Sequence, residues 1–142
     1  VNEEQSALAA DVWRRMSDLV LDHDRRRQVS DALGLSFIRI KVLRRVAQAP
    51  LTLRELSGAL GIDPPYATVV VQDLSERGLV ERVPHPTDRR AKLVTVTPTG
   101  RDIANQAEAM LREPPPGLLA LPPSQLRQID RALAAVHPLS ED

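Results

Sequence analysis

The chain of 142 residues carries 19 Lys/Arg against 19 Asp/Glu, has no cysteine, and takes its aromatic side chains from Trp13, Phe37 and Tyr66. That length suits one domain, and a net charge of zero means that only a local concentration of charge can point to nucleic acid. The missing cysteines exclude disulfides, thiolate nucleophiles and thiol redox sensing, while the acidic, polar start and the lack of a long apolar run predict a cytoplasmic protein with no membrane partner.

Ser6 to about Val29 predicts one long helix with Leu8, Val12, Met16, Leu19 and Val20 along one side, suited to packing and dimerisation. Within it, Asp22-His23-Asp24-Arg25-Arg26-Arg27 reads as a solvated helix end. His23 has no further ligands in evidence, so no metal site is expected. Leu33-Gly34-Leu35 then breaks the chain. Ser36 is placed to cap a helix from Phe37 to about Gln48 that carries Ile38, Val42, Leu43 and Val46 and ends at Pro50.

Thr52 and Glu55 make a Thr-x-x-Glu capping box for a helix over Leu53 to Leu60, with Gly61 where a left-handed residue is wanted. Asp63 is a second N-cap, followed by Pro64 and Pro65 in a first turn whose N–H groups have no intrahelical acceptor. This helix runs to about Arg77 and stops at Gly78. Ala67, Val70, Val71 and Leu74 recur at i, i+3, i+4 and i+7 and form its buried stripe, so Tyr66, Thr68, Val69, Gln72, Asp73 and Glu76 lie towards the other side. A helix set by a tight turn, with small and hydrogen-bonding residues near its start, suits a DNA major groove, although the pattern also describes an ordinary surface helix.

Leu79 to Val83 and Lys92 to Thr97 read as strands around the turn Pro84-His85-Pro86-Thr87-Asp88. From Arg77 to Lys92 there are five Arg/Lys against two acids, Glu81 and Asp88. A charged turn can be merely solvated, but cations on a hairpin beside a groove-sized helix are placed for phosphates or a minor groove. Arg89 is expected to enter or border that groove. Asp88 is expected to orient the tip by pairing with Arg90 or a backbone N–H, and the two arginine roles are open to exchange.

Thr97-Pro98 opens a further helix, Thr99 to about Glu113, with Ile103, Ala107 and Met110 at compatible spacing. Pro114-Pro115-Pro116-Gly117 predicts a short stiff loop, and the last helix runs from about Pro123 to Val136 with Leu126, Ile129, Leu133 and Val136 on one face. Three outer helices with apolar faces and a single small core need a second chain. The fold class is therefore mainly α with a small β-hairpin wing: a winged helix-turn-helix flanked by N- and C-terminal dimerisation helices. Phosphate-loop, dinucleotide, nucleophile-elbow and zinc-protease motifs are absent, so neither an enzyme nor a cofactor is expected.

The run Asp88-Arg89-Arg90-Ala91-Lys92-Leu93-Val94-Thr95-Val96-Thr97-Pro98-Thr99-Gly100, preceded by Leu74-Ser75-Glu76-Arg77-Gly78-Leu79-Val80, resembles the wing and recognition-helix signature of the multiple-antibiotic-resistance-regulator (MarR) family. The resemblance extends more loosely over the whole chain. It implies a single domain over 1–142, with a winged helix-turn-helix lobe at 36–101 and dimerisation helices at 1–35 and 102–142. It also implies a homodimer that binds a pseudo-palindromic operator in double-stranded DNA, usually as a repressor released by a small ligand. The absence of cysteine excludes a thiol-peroxide sensor of that family.

The expected DNA-binding residues are Pro65, Tyr66, Thr68, Val69, Gln72, Asp88, Arg89, Arg90 and Lys92. Where Val69 stands the family commonly has Arg, and where Pro65 stands it often has Ser. Val69 cannot hydrogen-bond a base and can only pack on a thymine methyl, which leaves direct readout to Thr68, Gln72 and Tyr66. By the same resemblance the first helix lines a ligand pocket, for which Trp13, Arg14, Arg15, Phe37 and Met110 are the candidates. Such a pocket suits a small aromatic or amphipathic compound, with Arg14 or Arg15 for a carboxylate; the alternative for both is a surface arginine pair. A second reading of the whole chain is a winged-helix dimerisation or protein-interaction module without specific DNA binding.

Overall fold

The computed structural model describes residues 1–138, and positions 139–142 of the expected C-terminal dimerisation segment lie outside the described residues. The chain separates into two compact units, the first Val1–Arg112 and the second beginning at Glu113. The first unit holds α1 (Glu3–Asp22), α2 (Arg25–Leu33), α3 (Phe37–Gln48), β1 (Leu51–Thr52), α4 (Leu53–Leu60), α5 (Pro64–Glu76), β2 (Val80–Pro84), β3 (Lys92–Val96) and α6 (Pro98–Arg112). The second holds α7 (Pro116–Leu119) and α8 (Pro123–Val136).

The core of the first unit is aliphatic, as the shortage of aromatics requires. Its α3 packs against α2, α4, α5, α6 and β3. Ile40, Val42, Leu43 and Val46 of α3 meet Leu56 of α4, Val70, Val71 and Leu74 of α5, and Ala104 and Ala107 of α6 in one buried cluster. Ile38, expected in this core, is partly buried against it, while Ile40 takes the inward position.

Three expectations about the ends of elements are corrected. The single helix predicted from Ser6 to Val29 is broken at His23-Asp24, because the Asp24 carboxylate accepts from the Arg27 N–H at 3.3 Å and caps a new helix. Val29 is therefore the buried anchor of α2 instead of the tail of α1. In the second unit, Pro114 to Gly117 is not a plain loop, since Pro116 starts the one-turn helix α7, where its missing N–H costs nothing. Ser36 precedes α3 as expected, but its hydroxyl caps no N–H; it accepts from Arg39 Nη1 at 2.9 Å.

No residue of α1 or α8 is buried. Leu8, Val12 and Val20 of α1, and Ile129, Leu133 and Val136 of α8, are exposed apolar side chains. No helix among the described residues is long and apolar enough to cross a membrane.

Candidate nucleic-acid interface

The helix-turn-helix is built from caps that close within a few residues. Thr52 and Glu55 form the reciprocal box at the start of α4, with Thr52 Oγ1 accepting from the Glu55 N–H at 3.1 Å. Gly61 ends α4 at φ 64°, a conformation that favours glycine. Ser57 locks the turn: its carbonyl accepts the Ile62 N–H at 3.2 Å and its hydroxyl donates to the Ile62 carbonyl at 2.5 Å. Asp63 then caps α5 by accepting from the Tyr66 N–H at 2.8 Å, and Pro64 and Pro65 occupy the first turn.

Ala67, Val70, Val71 and Leu74 are all buried, so the opposite side of α5 is the free one. Tyr66 is 43% and Val69 58% exposed on it, and Pro65, Thr68 and Gln72 are exposed as well. The polar members are engaged with their own helix. Thr68 Oγ1 donates to the Pro64 carbonyl at 3.1 Å, and Gln72 Nε2 donates to Glu76 Oε1 at 3.1 Å.

Asp73, expected on the free side, is half-buried instead and corrects that expectation. Its Oδ2 accepts from Arg39 Nε at 2.6 Å and from Arg77 Nε at 2.9 Å, joining α3 to the end of α5. The hydrogen bond from Arg39, helped by the Arg77 guanidinium and opposed by burial, holds this carboxyl below its ordinary value of 3.8. A second triad ties α3 to α6: Glu108 accepts from Arg44 at 2.6 Å and from Arg112 at 2.7 Å. Burial pushes the Glu108 carboxyl up, but the two arginines outweigh it and leave the group lowered.

The wing follows α5 directly. Val80 to Pro84 pairs antiparallel with Lys92 to Val96 in the register Val80↔Val96 and Pro84↔Lys92. At the tip, Asp88 Oδ1 accepts from the Arg90 backbone N–H at 2.9 Å, the backbone alternative of the two expected partners. Arg89, Arg90 and Lys92 are exposed.

Three features go beyond the expectations drawn from the sequence. Strand β1 pairs with β3, Leu51↔Val94 and Thr52↔Leu93, so the residue that caps α4 is also stitched to the wing; two residues are too few to show a period. His85 braces the tip, its Nδ1 accepting from the Thr87 and Asp88 N–H groups at 3.2 and 3.0 Å. Arg82 points inward, and its Nε and Nη2 are buried with no acceptor among the described residues. The signal for Arg82 is present, since strand alternation puts it on the face of buried Val80. It lines a groove of about 440 Å³ together with Arg54, Arg90, Lys92 and Asp88, beside Thr52, Leu53, Ala91 and Val94.

The residues considered for a ligand pocket are dispersed. Trp13 is 69% exposed on α1, Arg15 is also exposed, and Arg14 is paired with Asp11 at 2.9 Å on the same helix. Phe37 and Met110 are both partly buried against the core of the first unit. The guanidinium of Arg26 lies 5.2 Å and the ammonium of Lys41 5.7 Å from the Phe37 ring centre. No cluster of three or more His, Asp or Glu able to hold a metal ion occurs among the described residues.

Residues 33–91 match the profile of the MarR family. The HTH-type transcriptional repressor Rv2887 of Mycobacterium tuberculosis is 33% identical over 103 residues, which cover 71% of this chain and 74% of that protein. The HTH-type transcriptional regulator ML2140 of Mycobacterium leprae is 34% identical over 113 residues, covering 66% of this chain and 78% of its own. Among solved structures, Rv2887 superposes with a TM-score of 0.66 at 26% identity, covering 91% of this chain and 92% of that one. Apo MarR of E. coli superposes with a TM-score of 0.67 at 25% identity, covering 87% and 96%.

Proposed function

This chain belongs to the MarR family of winged-helix transcriptional regulators, and from that premise we propose that it is a homodimeric repressor of a pseudo-palindromic operator, released by a small aromatic or amphipathic ligand. The observation that carries the reading is the juxtaposition of a capped helix with an exposed outer face and an adjoining hairpin whose tip presents Arg89, Arg90 and Lys92. In this reading the lobe at 36–101 meets DNA and the segments 1–35 and 102–142 form the dimer, with the exposed apolar faces of α1 and α8 covered by a second copy. Pro65, Tyr66, Thr68, Val69 and Gln72 approach base edges in the major groove. Asp88, Arg89, Arg90 and Lys92 meet phosphates and the adjacent minor groove. The repressor named Rv2887, which covers most of this chain, supports the sign of the regulation.

Two recognition helices related by a dimer axis reach half-sites about one helical turn apart. The test is a titration of the purified protein against the duplex flanking its own coding region, at several salt concentrations. Tight binding that falls steeply with salt, as released counterions require, is the expected result. Binding no tighter than to random duplex at low salt would favour the interaction-module reading.

Trp13, Arg14, Arg15, Phe37 and Met110 remain the proposed contacts of the effector. Such a ligand shifts the equilibrium only by binding better to the form whose recognition helices are misaligned with successive major grooves.

A further inference from the structure

We infer that the recognition helix reads thymine through its C5 methyl group, with Val69 as the reading side chain; this rests on the DNA-binding reading above. Between Asp22 and Leu118, the exposed large apolar side chains among the described residues are Tyr66 and Val69, and both stand on α5. At about 100° per residue, Val69 lies nearly opposite the stripe of Ala67, Val70, Val71 and Leu74, so it is central on the outer face while Tyr66 flanks it. Every other large apolar group of that lobe has been withdrawn into the core or half-covered.

The polar groups around Val69 are already hydrogen-bonded within the protein. Gln72 donates one Nε2–H to Glu76, so it pairs with adenine only by presenting its remaining N–H and Oε1 or by leaving Glu76. Thr68 sends its hydroxyl proton to the Pro64 carbonyl, and Asp73 is turned away between Arg39 and Arg77. What the centre of the face offers is two methyl groups. In the major groove thymine presents the matching apolar group, whereas guanine, adenine and cytosine present donors and acceptors. A β-branched side chain on a helix has essentially one χ1 rotamer, so Val69 meets that methyl with little entropy to lose. The occupant is a polyanion because the neighbouring wing supplies Arg89, Arg90 and Lys92, the charge complement that a hydrophobic protein partner would lack.

The test uses the full chain and duplexes that it selects from a random pool. Each thymine of the selected half-site is replaced by uracil in both half-sites at once, which deletes the methyl and leaves every hydrogen-bonding group in place. At one or two positions the affinity is expected to fall about fourfold per half-site, about fifteenfold for the symmetric pair, the worth of one buried methyl each. Val69→Ala, at an exposed position that does not disturb folding, is expected to weaken the thymine duplex similarly and to make the uracil substitution neutral. Selection of a preferred duplex in which every uracil is tolerated would overturn the assignment, as would a uracil effect that persists undiminished in Val69→Ala. If no duplex is preferred over random DNA, the DNA-binding reading falls and takes this inference with it.

Discussion

Asp73 receives the Nε–H of Arg39 at 2.6 Å, across 34 positions of the chain, and so fastens the recognition helix to the helix behind it. With Arg77 on the same oxygen at 2.9 Å, this carboxylate fixes the outer end of α5 where the chain turns into the wing.

Replacing Asp73 by Asn should lower the melting midpoint at neutral pH and weaken DNA binding. Because the folded-state pKa is lowered below 3.8, the stabilising contribution is present above that value and is lost as pH falls through the folded pKa. The difference between wild type and Asp73→Asn should therefore shrink towards zero as pH is lowered beneath about 3.8. Thermal melts at pH 7 and at decreasing pH check this. A gap that stays constant into strong acid would show that the loss comes from packing and not from the charge.

The two faces of α5 should respond oppositely to truncation. Leu74 is fully buried, so Leu74→Ala should cost about 2 to 5 kcal/mol in urea unfolding. Val69→Ala should stay within about 0.5 kcal/mol of wild type while altering DNA affinity. Comparable destabilisation by both would place Val69 in a packed interface.

Thr97 and Gly100 join the end of α5, the wing and α6 at one point. Thr97 Oγ1 donates to the Gly78 carbonyl at 2.7 Å and accepts from the Gly100 N–H at 3.0 Å, and a Cβ on Gly100 would run into the Leu79 carbonyl. Gly100→Ala should cost about 1 to 3 kcal/mol from overpacking. Thr97→Val, which keeps the shape but leaves the Gly100 N–H and the Gly78 carbonyl without their partner, should also destabilise by about 1 to 3 kcal/mol. Denaturant midpoints equal to wild type would remove this junction from the account.

Wing substitutions should act on affinity without regard to sequence. Arg89→Ala is expected to weaken specific and random duplexes alike and to reduce the slope of log K against log salt by about one. Gln72→Ala should act at particular bases, by about 1 to 3 kcal/mol, if Gln72 leaves Glu76 on binding. Unchanged affinity in both Arg89→Ala and Arg90→Ala would detach the wing from DNA.

Operator must weaken the inducer by the same factor by which the inducer weakens operator. Calorimetry with a bound aromatic carboxylate, on the free protein and on the protein saturated with operator, measures this directly. Equal affinities would separate that ligand site from regulation.

What could be read from residues alone is what closes within a few of them. The Thr52–Glu55 box, the Asp63 cap and the left-handed glycine at 61 are local, and each is satisfied by neighbours no more than five residues away. The buried stripe of α5 follows from helical period, and the wing's basic tip from turn chemistry. The same local rules, applied without weighing competitors, ran α1 through Asp24, where an aspartate preferred to cap a new helix. Tertiary structure decided the rest. The pairing of β1 with β3 and the turning of Asp73 towards Arg39 each join groups brought together by packing of α3, α4, α5 and the wing. A charged side chain on a helix or strand has several directions open to it, and which one it takes depends on the partner that the distant chain delivers.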